Sequence, residues 1–212
     1  MEGERVITVA ISRGRILKEA SALLKKAGFS VGRMSNGSRK LVFEYPRDGI
    51  KILIIRPTDV PPYVEYGAAD CGIVGKDTLI EENHDLYEPL DLGIGKCRLV
   101  VAGPKEFNFS SNRILRVATK YPRIAHDHFV KKGIGVEVVK LYGSVELAPI
   151  VGLSDIIVDL SATGETLKKN RLVEIETIAD ITARLVVNRV SMKVKSSEIK
   201  DFIKRLKGVR DI

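Results

Sequence analysis

Hydrophobic positions along the chain follow two rhythms. Compact apolar runs at residues 6–11, 50–55 and 70–74 read as buried strands. Ile16, Leu17, Ala20, Leu23, Leu24 and Ala27 recur at three- and four-residue spacing, which predicts a helix that Gly28 stops. Residues 41–45 pair with 50–55 around Pro46-Arg47-Asp48-Gly49, a hairpin connection. Thr58 or Asp59 opens a helix with Pro61 and Pro62 in its first turn and Gly67 at its end, and residues 76–82 form a further short helix. The opening third is therefore β-α-β-β-α-β-α. The rhythm then restarts, with strands at 98–102, 115–118, 136–141, 155–159 and 185–190, helices at 122–132, 145–151 and 163–169, and a closing helix at 196–207.

Strands alternating with helices define an α/β fold. The pattern predicts two α/β lobes with mixed or parallel sheets and an interlobe cleft, as in type II periplasmic-binding-protein-like folds. Residues 1–93 plus 181–212 form the first lobe and residues 94–180 the second, with Gly93-Ile94-Gly95 at the crossing. A cleft between lobes is the default ligand site.

Composition narrows the function classes. The chain has 212 residues, 44% of them hydrophobic and 29% charged, which excludes disordered and fibrous classes. No apolar run approaches the ~20 residues of a bilayer span, and the first residues lack a secretory pattern, so a cytoplasmic protein without membrane attachment is expected. The net charge of +8 raises the possibility of nucleic acid. Its local concentration, however, is Lys193, Lys195, Lys200, Lys204, Arg205, Lys207 and Arg210, interleaved with Ile199, Phe202, Ile203 and Leu206 at helical spacing. That pattern is the wet face of a packed helix, without aromatic interleaving for base stacking. Cys71 and Cys97 lie in apolar runs and read as buried thiols. His84, His126 and His128 read as surface residues, and no Cys/His spacing suits a protein metal site.

The chemistry concentrates in residues 155–167. A buried strand ends at Asp159, and a loop rich in hydroxyls and glycine then opens a helix. Backbone N–H groups at that helix start, with Ser161, Thr163 and Thr166, can surround a phosphate. Asp159 can accept hydrogen bonds from hydroxyls of the phosphate's carrier, so the loop suits a sugar phosphate. An ordinary strand-to-helix turn with a threonine cap is the alternative, and Glu165 weighs against a purely electrostatic grip.

Gly143-Ser144-Val145-Glu146-Leu147-Ala148-Pro149, Gly152-Leu153-Ser154-Asp155, Val158-Asp159 and Thr163-Gly164-Glu165-Thr166-Leu167, with their spacings, resemble the signature of the ATP phosphoribosyltransferases of histidine biosynthesis. Upstream, Ser12-Arg13-Gly14-Arg15 is similar to that family's Pro-Lys-Gly-Arg turn, with Ser12 and Arg13 as departures. Arg56-Pro57-Thr58-Asp59-Val60-Pro61, Asp70, Gly72, Ile73 and Gly75 resemble its next block. The likeness covers the whole chain and ends where the family's short catalytic form ends.

The resemblance implies that ATP and phosphoribosyl pyrophosphate give N1-(5-phosphoribosyl)-ATP and pyrophosphate. Mg2+ would ride on the substrate, with no metal assigned to protein side chains. Glu146, Asp159, Ser161, Ala162, Thr163, Gly164, Glu165 and Thr166 would bind phosphoribosyl pyrophosphate, and Arg13, Arg15, Arg56 and Asp70 would bind ATP. Asp159, Glu146 and Arg15 would carry catalysis. A homodimer is implied, as is a hetero-oligomer with a regulatory subunit similar to histidyl-tRNA synthetase. Histidine control would then reside in that subunit. The competing reading from another class is a two-lobed ligand-binding module similar to the periplasmic solute-binding proteins.

Overall fold

The structure, a computed structural model, describes residues 6–32, 34, 37, 39–109 and 114–210, the last by its backbone alone. In chain order the elements are β1 (Ile7–Ser12), α1 (Arg15–Lys26), β2 (Val42–Tyr45), β3 (Ile50–Ile55), α2 (Val60–Glu65), β4 (Cys71–Gly75), α3 (Lys76–Glu82) and β5 (Tyr87–Asp91). There follow β6 (Cys97–Pro104), β7 (Leu115–Thr119), α4 (Pro122–Lys131), β8 (Val136–Lys140), α5 (Leu147–Ile150), β9 (Ile156–Ser161), α6 (Glu165–Lys169) and β10 (Leu172–Ile181). The chain closes with β11 (Ala183–Val187), α7 (Ser191–Val194) and α8 (Ser196–Arg210). Two compact units result: one takes the chain through Gly95 and again from Thr182, the other is Lys96–Ile181.

The first unit is built on a sheet of order β2-β3-β1-β4-β11-β5, in which β3, β1 and β4 pair in parallel and the β2–β3, β4–β11 and β11–β5 pairings are antiparallel. Strand alternation sends Val9 and Ile11 of β1 to one face, where Leu17, Leu24, Ile199, Phe202 and Leu206 cover them, while Ala10 faces Val60 and Val64 on α2. That second contact is close. A Cβ at Gly72 of β4 would lie 2.7 Å from Val60 Cγ1 and 2.9 Å from Val64 Cγ2, so only glycine lets α2 seat.

α8 packs as its spacing predicts. Phe202 is 1% exposed and tilts against Phe29 with ring centroids 5.3 Å apart, while the Arg205 guanidinium lies 3.5 Å over the Phe29 ring and its Nε donates to Ala27 O. Arg205 and Lys195 are thus spent on intramolecular contacts, whereas Lys193, Lys200, Lys204 and Lys207 are exposed; the Arg210 side chain lies outside the described residues.

The second unit's sheet has the order β10-β6-β9-β7-β8, with β9, β7 and β8 parallel. β9 is paired on both sides, and Ile156, Ile157 and Val158 are fully buried. Both units are α/β with mixed sheets, the fold class the sequence predicts. Several elements differ from expectation. β5, β10 and α7 are additional, the helix at 145–151 is one turn, and the strand at 185–190 is β11, which begins earlier. β5 carries Pro89 at a sheet edge, where a missing N–H costs no ladder bond. β10 contains two register shifts, which break the period-two alternation that would mark it.

Cys71 is buried, and desolvation pushes its thiol up to about 12, so it is an inert core residue. Cys97 is half-buried rather than buried. Phe202→Ala removes the ring that holds α8 to the first unit. It is expected to lower unfolding free energy by about 3–5 kcal/mol, read as a fall in the urea midpoint. A change below about 1 kcal/mol would show that α8 contributes little to the core.

Candidate active site

β9 leaves the core at Asp159, and packing sets the path of the chain beyond it. Leu167 of α6, Ala148 of α5, Val145 and Ile157 share one buried cluster, which anchors both helices beside the strand end. Gly164 adopts a left-handed φ of 76° as the N-cap of α6, a conformation that favours glycine. Ser144, with φ 48°, takes the same region without being glycine, and the turn it makes brings Glu146 to the start of α5.

The result is a cavity of about 260 Å³ lined by Glu146, Asp159, Leu160, Ser161, Ala162, Thr163, Gly164, Glu165, Thr166 and Leu167. All eight residues anticipated for phosphoribosyl pyrophosphate therefore line one concavity. Asp159 accepts from the Leu160 N–H through Oδ1 at 2.8 Å. Thr163 Oγ1 caps the Glu165 N–H at 3.4 Å. The N–H groups of Ala162, Thr163 and Gly164 have no acceptor among the described residues. Such a run of N–H groups at a strand-to-helix turn can receive anionic oxygens.

Ser161 is placed differently from expectation. It is buried, and its hydroxyl donates to Glu174 Oε1 at 2.5 Å rather than into the cavity. Arg98 grips the same carboxylate, with Nη2 3.0 Å from Oε1 and 2.9 Å from Oε2. Neither Arg98 nor Glu174 was singled out by the sequence. Glu174 lies on β10, the strand whose pattern the bulges disrupt.

The residues anticipated for ATP belong to the first unit and divide between two ends of its sheet. Ser12 of β1 pairs with Ile55 of β3, so Arg13 and Arg56 follow neighbouring strand ends; the Arg13 N–H donates to Ile55 O at 2.9 Å. Ligands of parallel α/β sheets gather at such ends. Arg15 pairs with Glu19 at 3.5 Å and donates through Nη2 to Gly95 O at 2.7 Å, while Glu19 accepts the Gly95 N–H. In this conformation its guanidinium holds the crossing segment.

Asp70 lies beside Thr8, at the opposite end of β1 from Arg13, roughly 15 Å away at strand rise. It is buried, and its oxygens accept from Thr8 N–H (2.8 Å), Ser191 Oγ (2.7 Å) and Lys195 Nζ (2.7 Å). The expectation that it contacts nucleotide meets a carboxylate already filled by the protein. Its geometry instead ties α7 and the start of α8 to β1.

Two histidines are less exposed than expected. His84 Nδ1 lies 2.6 Å from Glu65 Oε2, and with the Asp85 N–H it holds the Glu65 carboxyl below the usual range. His128 packs edge-on against Phe129, and burial pushes its pKa down despite Glu176 at 3.5 Å. Among the described residues no group of three His, Cys, Asp or Glu side chains could hold a metal, and no helix is long and apolar enough to cross a membrane.

A model of the HisG family, ATP phosphoribosyltransferase, matches residues 56–208. An ATP phosphoribosyltransferase from Citrifermentans bemidjiense is 56% identical over 204 residues, covering 94% of this chain and 96% of that protein. The chain belongs to the ATP phosphoribosyltransferase family. A Caldanaerobacter subterraneus member is 52% identical, with 96% and 97% of the two chains covered. Among solved structures, the ATP phosphoribosyl transferase (HisG:HisZ) complex from Thermotoga maritima superposes with TM-score 0.84 and 36% identity, over 97% of this chain and 99% of that one. A protein solved with bound L-arginine, Tv2483, shares the fold at TM-score 0.58 and 11% identity.

Asp70→Ala separates the two roles considered for this residue. It removes the acceptor of three donors, one of them cationic, and is expected to destabilise the chain by about 2 kcal/mol or more. KM for ATP should move less than about threefold in the folded variant. A large rise in that KM without a loss of stability would return Asp70 to the nucleotide.

Proposed function

We propose that this chain catalyses the first step of histidine biosynthesis, joining ATP to 5-phosphoribosyl pyrophosphate. The observation that carries the reading is the convergence of Glu146, Asp159 and residues 161–166 on one cavity in a member of this family. Adenine N1 donates its electron pair to the anomeric carbon as the C–O bond to pyrophosphate breaks, and that bond's electrons leave on pyrophosphate. The protein's work is alignment and charge stabilisation rather than covalent catalysis.

The free N–H groups of residues 162–164 and the hydroxyls of Thr163 and Thr166 take the 5-phosphate. Asp159 and Glu146 take the ribose hydroxyls, and their negative charge favours the positive charge that develops on the sugar. Arg13 and Arg56, at adjacent strand ends, are suited to the phosphates of ATP. The carboxylates of Glu146, Asp159 and Glu165 around the cavity are hard oxygen donors of the kind that suit Mg2+, and they would hold it together with substrate oxygens. When bound, Mg2+ neutralises the departing pyrophosphate.

The chain works in the cytoplasm as a homodimer that joins a regulatory subunit similar to histidyl-tRNA synthetase. The HisG:HisZ assembly of the Thermotoga maritima relative supports that partner.

Pyrophosphate release from ATP and phosphoribosyl pyrophosphate tests the activity directly; no release with either substrate omitted, and release with both, is expected. Thr166→Ala should raise KM for phosphoribosyl pyrophosphate by about 10- to 100-fold, the loss of one hydrogen bond to a charged group, and leave KM for ATP within about threefold. Asp159→Asn should lower kcat strongly in a folded protein. Equal losses toward both substrates in Thr166→Ala, or wild-type turnover in Asp159→Asn, would overturn the site.

A further inference from the structure

We propose that Glu174 and Arg98 form a charge-neutral floor beneath the phosphate loop, with Glu174 as a positioning residue for phosphoribosyl pyrophosphate and Arg98 as its obligatory neutraliser. The inference rests on the reading of residues 161–166 as the 5-phosphate site.

Glu174 reaches the loop's Ser161 from β10, a strand that contributes no residue to the cavity lining. Its Oε1 accepts the Ser161 hydroxyl at 2.5 Å, and a Cβ built at Gly164 would sit 3.5 Å from the same oxygen. The carboxylate oxygen that accepts Ser161 at one end of the turn thus also lies beside Gly164 at the other, where a side chain would meet it. Ser161 is buried, so this hydrogen bond fixes its rotamer and with it the direction in which the chain leaves β9 toward Ala162.

A carboxylate under a phosphate site is an electrostatic liability. The cavity lining already holds Glu146, Asp159 and Glu165 and no lysine or arginine. A further uncompensated charge at this range would repel the incoming phosphate. Arg98 removes that liability by contacting both oxygens of Glu174. Arg98 stands on β6 directly opposite Ser161 of β9, so the sheet itself brings the cation to the loop's starting point. The arrangement separates two tasks that a cation placed in the loop would merge. Geometry comes from the Glu174–Ser161 bond, and the net charge beneath the phosphate stays near zero. Specificity for the phosphate is then left to the N–H groups above.

Opposite-sign substitutions test this. Arg98→Met leaves Glu174 charged and unpaired, and KM for phosphoribosyl pyrophosphate should rise about tenfold, with kcat and KM for ATP within about threefold. The rise should shrink as ionic strength increases, because the repulsion is screened. Arg98→Lys, which keeps the charge, should stay within about threefold of wild type. Glu174→Gln keeps an oxygen acceptor for Ser161 without the charge, so KM should be unchanged or lower. The double variant Arg98→Met with Glu174→Gln should restore KM to within about threefold, a rescue that loss of packing does not produce.

If the double variant is as weak as Arg98→Met alone, or if Arg98→Met leaves KM unmoved, the neutral-floor proposal is overturned. Thr166→Ala, measured in parallel, keeps the two levels apart. A raised KM there with no rescue in the double variant rejects the floor and keeps the phosphate loop. An unmoved KM in Thr166→Ala rejects the loop reading itself.

Discussion

Burial of β9 is the constraint on which the candidate site depends. Hydrogen-bonded to β6 on one side and β7 on the other, with Ile156, Ile157 and Val158 wholly removed from water, the strand cannot slip without exposing one face. A one-residue shift would bring Asp159 into the apolar interior at the cost of burying a carboxylate. The register is therefore fixed by desolvation, and the first position at which the strand can turn polar is also its first residue to line the cavity. Leu167 and Ala148, sharing the cluster of Ile157, then fix the start of each short helix relative to that strand end. Helices as short as α5 and α6 have little stability of their own. They hold their places because single buried residues pin them to β9.

Charge is distributed in a way that the net value of +8 conceals. Lys200, Lys204 and Lys207 of α8 lie on its wet face, Arg205 is consumed by Phe29 and Lys195, just before the helix, by Asp70, while the cavity lining of the second unit carries three carboxylates. On the proposed reading, a site for a polyanionic sugar that is itself acidic relies on directed dipoles. Unpaired N–H groups at a strand-to-helix turn provide them without adding a diffuse positive field. Carboxylates suit the other half of the problem, because the sugar becomes cationic as pyrophosphate departs. A surplus of positive charge across the chain is thus no guide to the charge of this cavity.

Legibility in the sequence obeys the same physics. Elements whose apolar pattern matches their period, such as α1, β3 and α8, are readable because each buries its apolar positions in the hydrophobic clusters of the first unit. β5 is not, since Pro89 is tolerated only because the strand is an edge. β10 is not, since two register shifts rotate its side chains off alternation. The cavity's lining is legible because strand, loop and helix are contiguous in sequence. Its support is not, because Glu174 and Arg98 reach Ser161 from two other strands, and nothing local marks a glutamate in a bulged strand or an arginine at a strand's start.

Asp70 shows how strand direction bears on such readings. An acidic residue placed before a buried strand looks functional by position, and the same expectation applied to Asp159 describes a residue that lines the cavity. What separates them is direction. Asp159 lies toward the carboxyl end of its strand, where ligands of parallel sheets gather, whereas Asp70 precedes β4, at the amino end. At that end the returning chain must be fastened. The Asn188 N–H donates to Asp70 O, and Ser191 and Lys195 then close on the carboxylate. One end of this α/β sheet carries exposed arginine-bearing turns, and the other carries the lock that holds the C-terminal helices. The polarity of the parallel strands decides which acid serves which purpose.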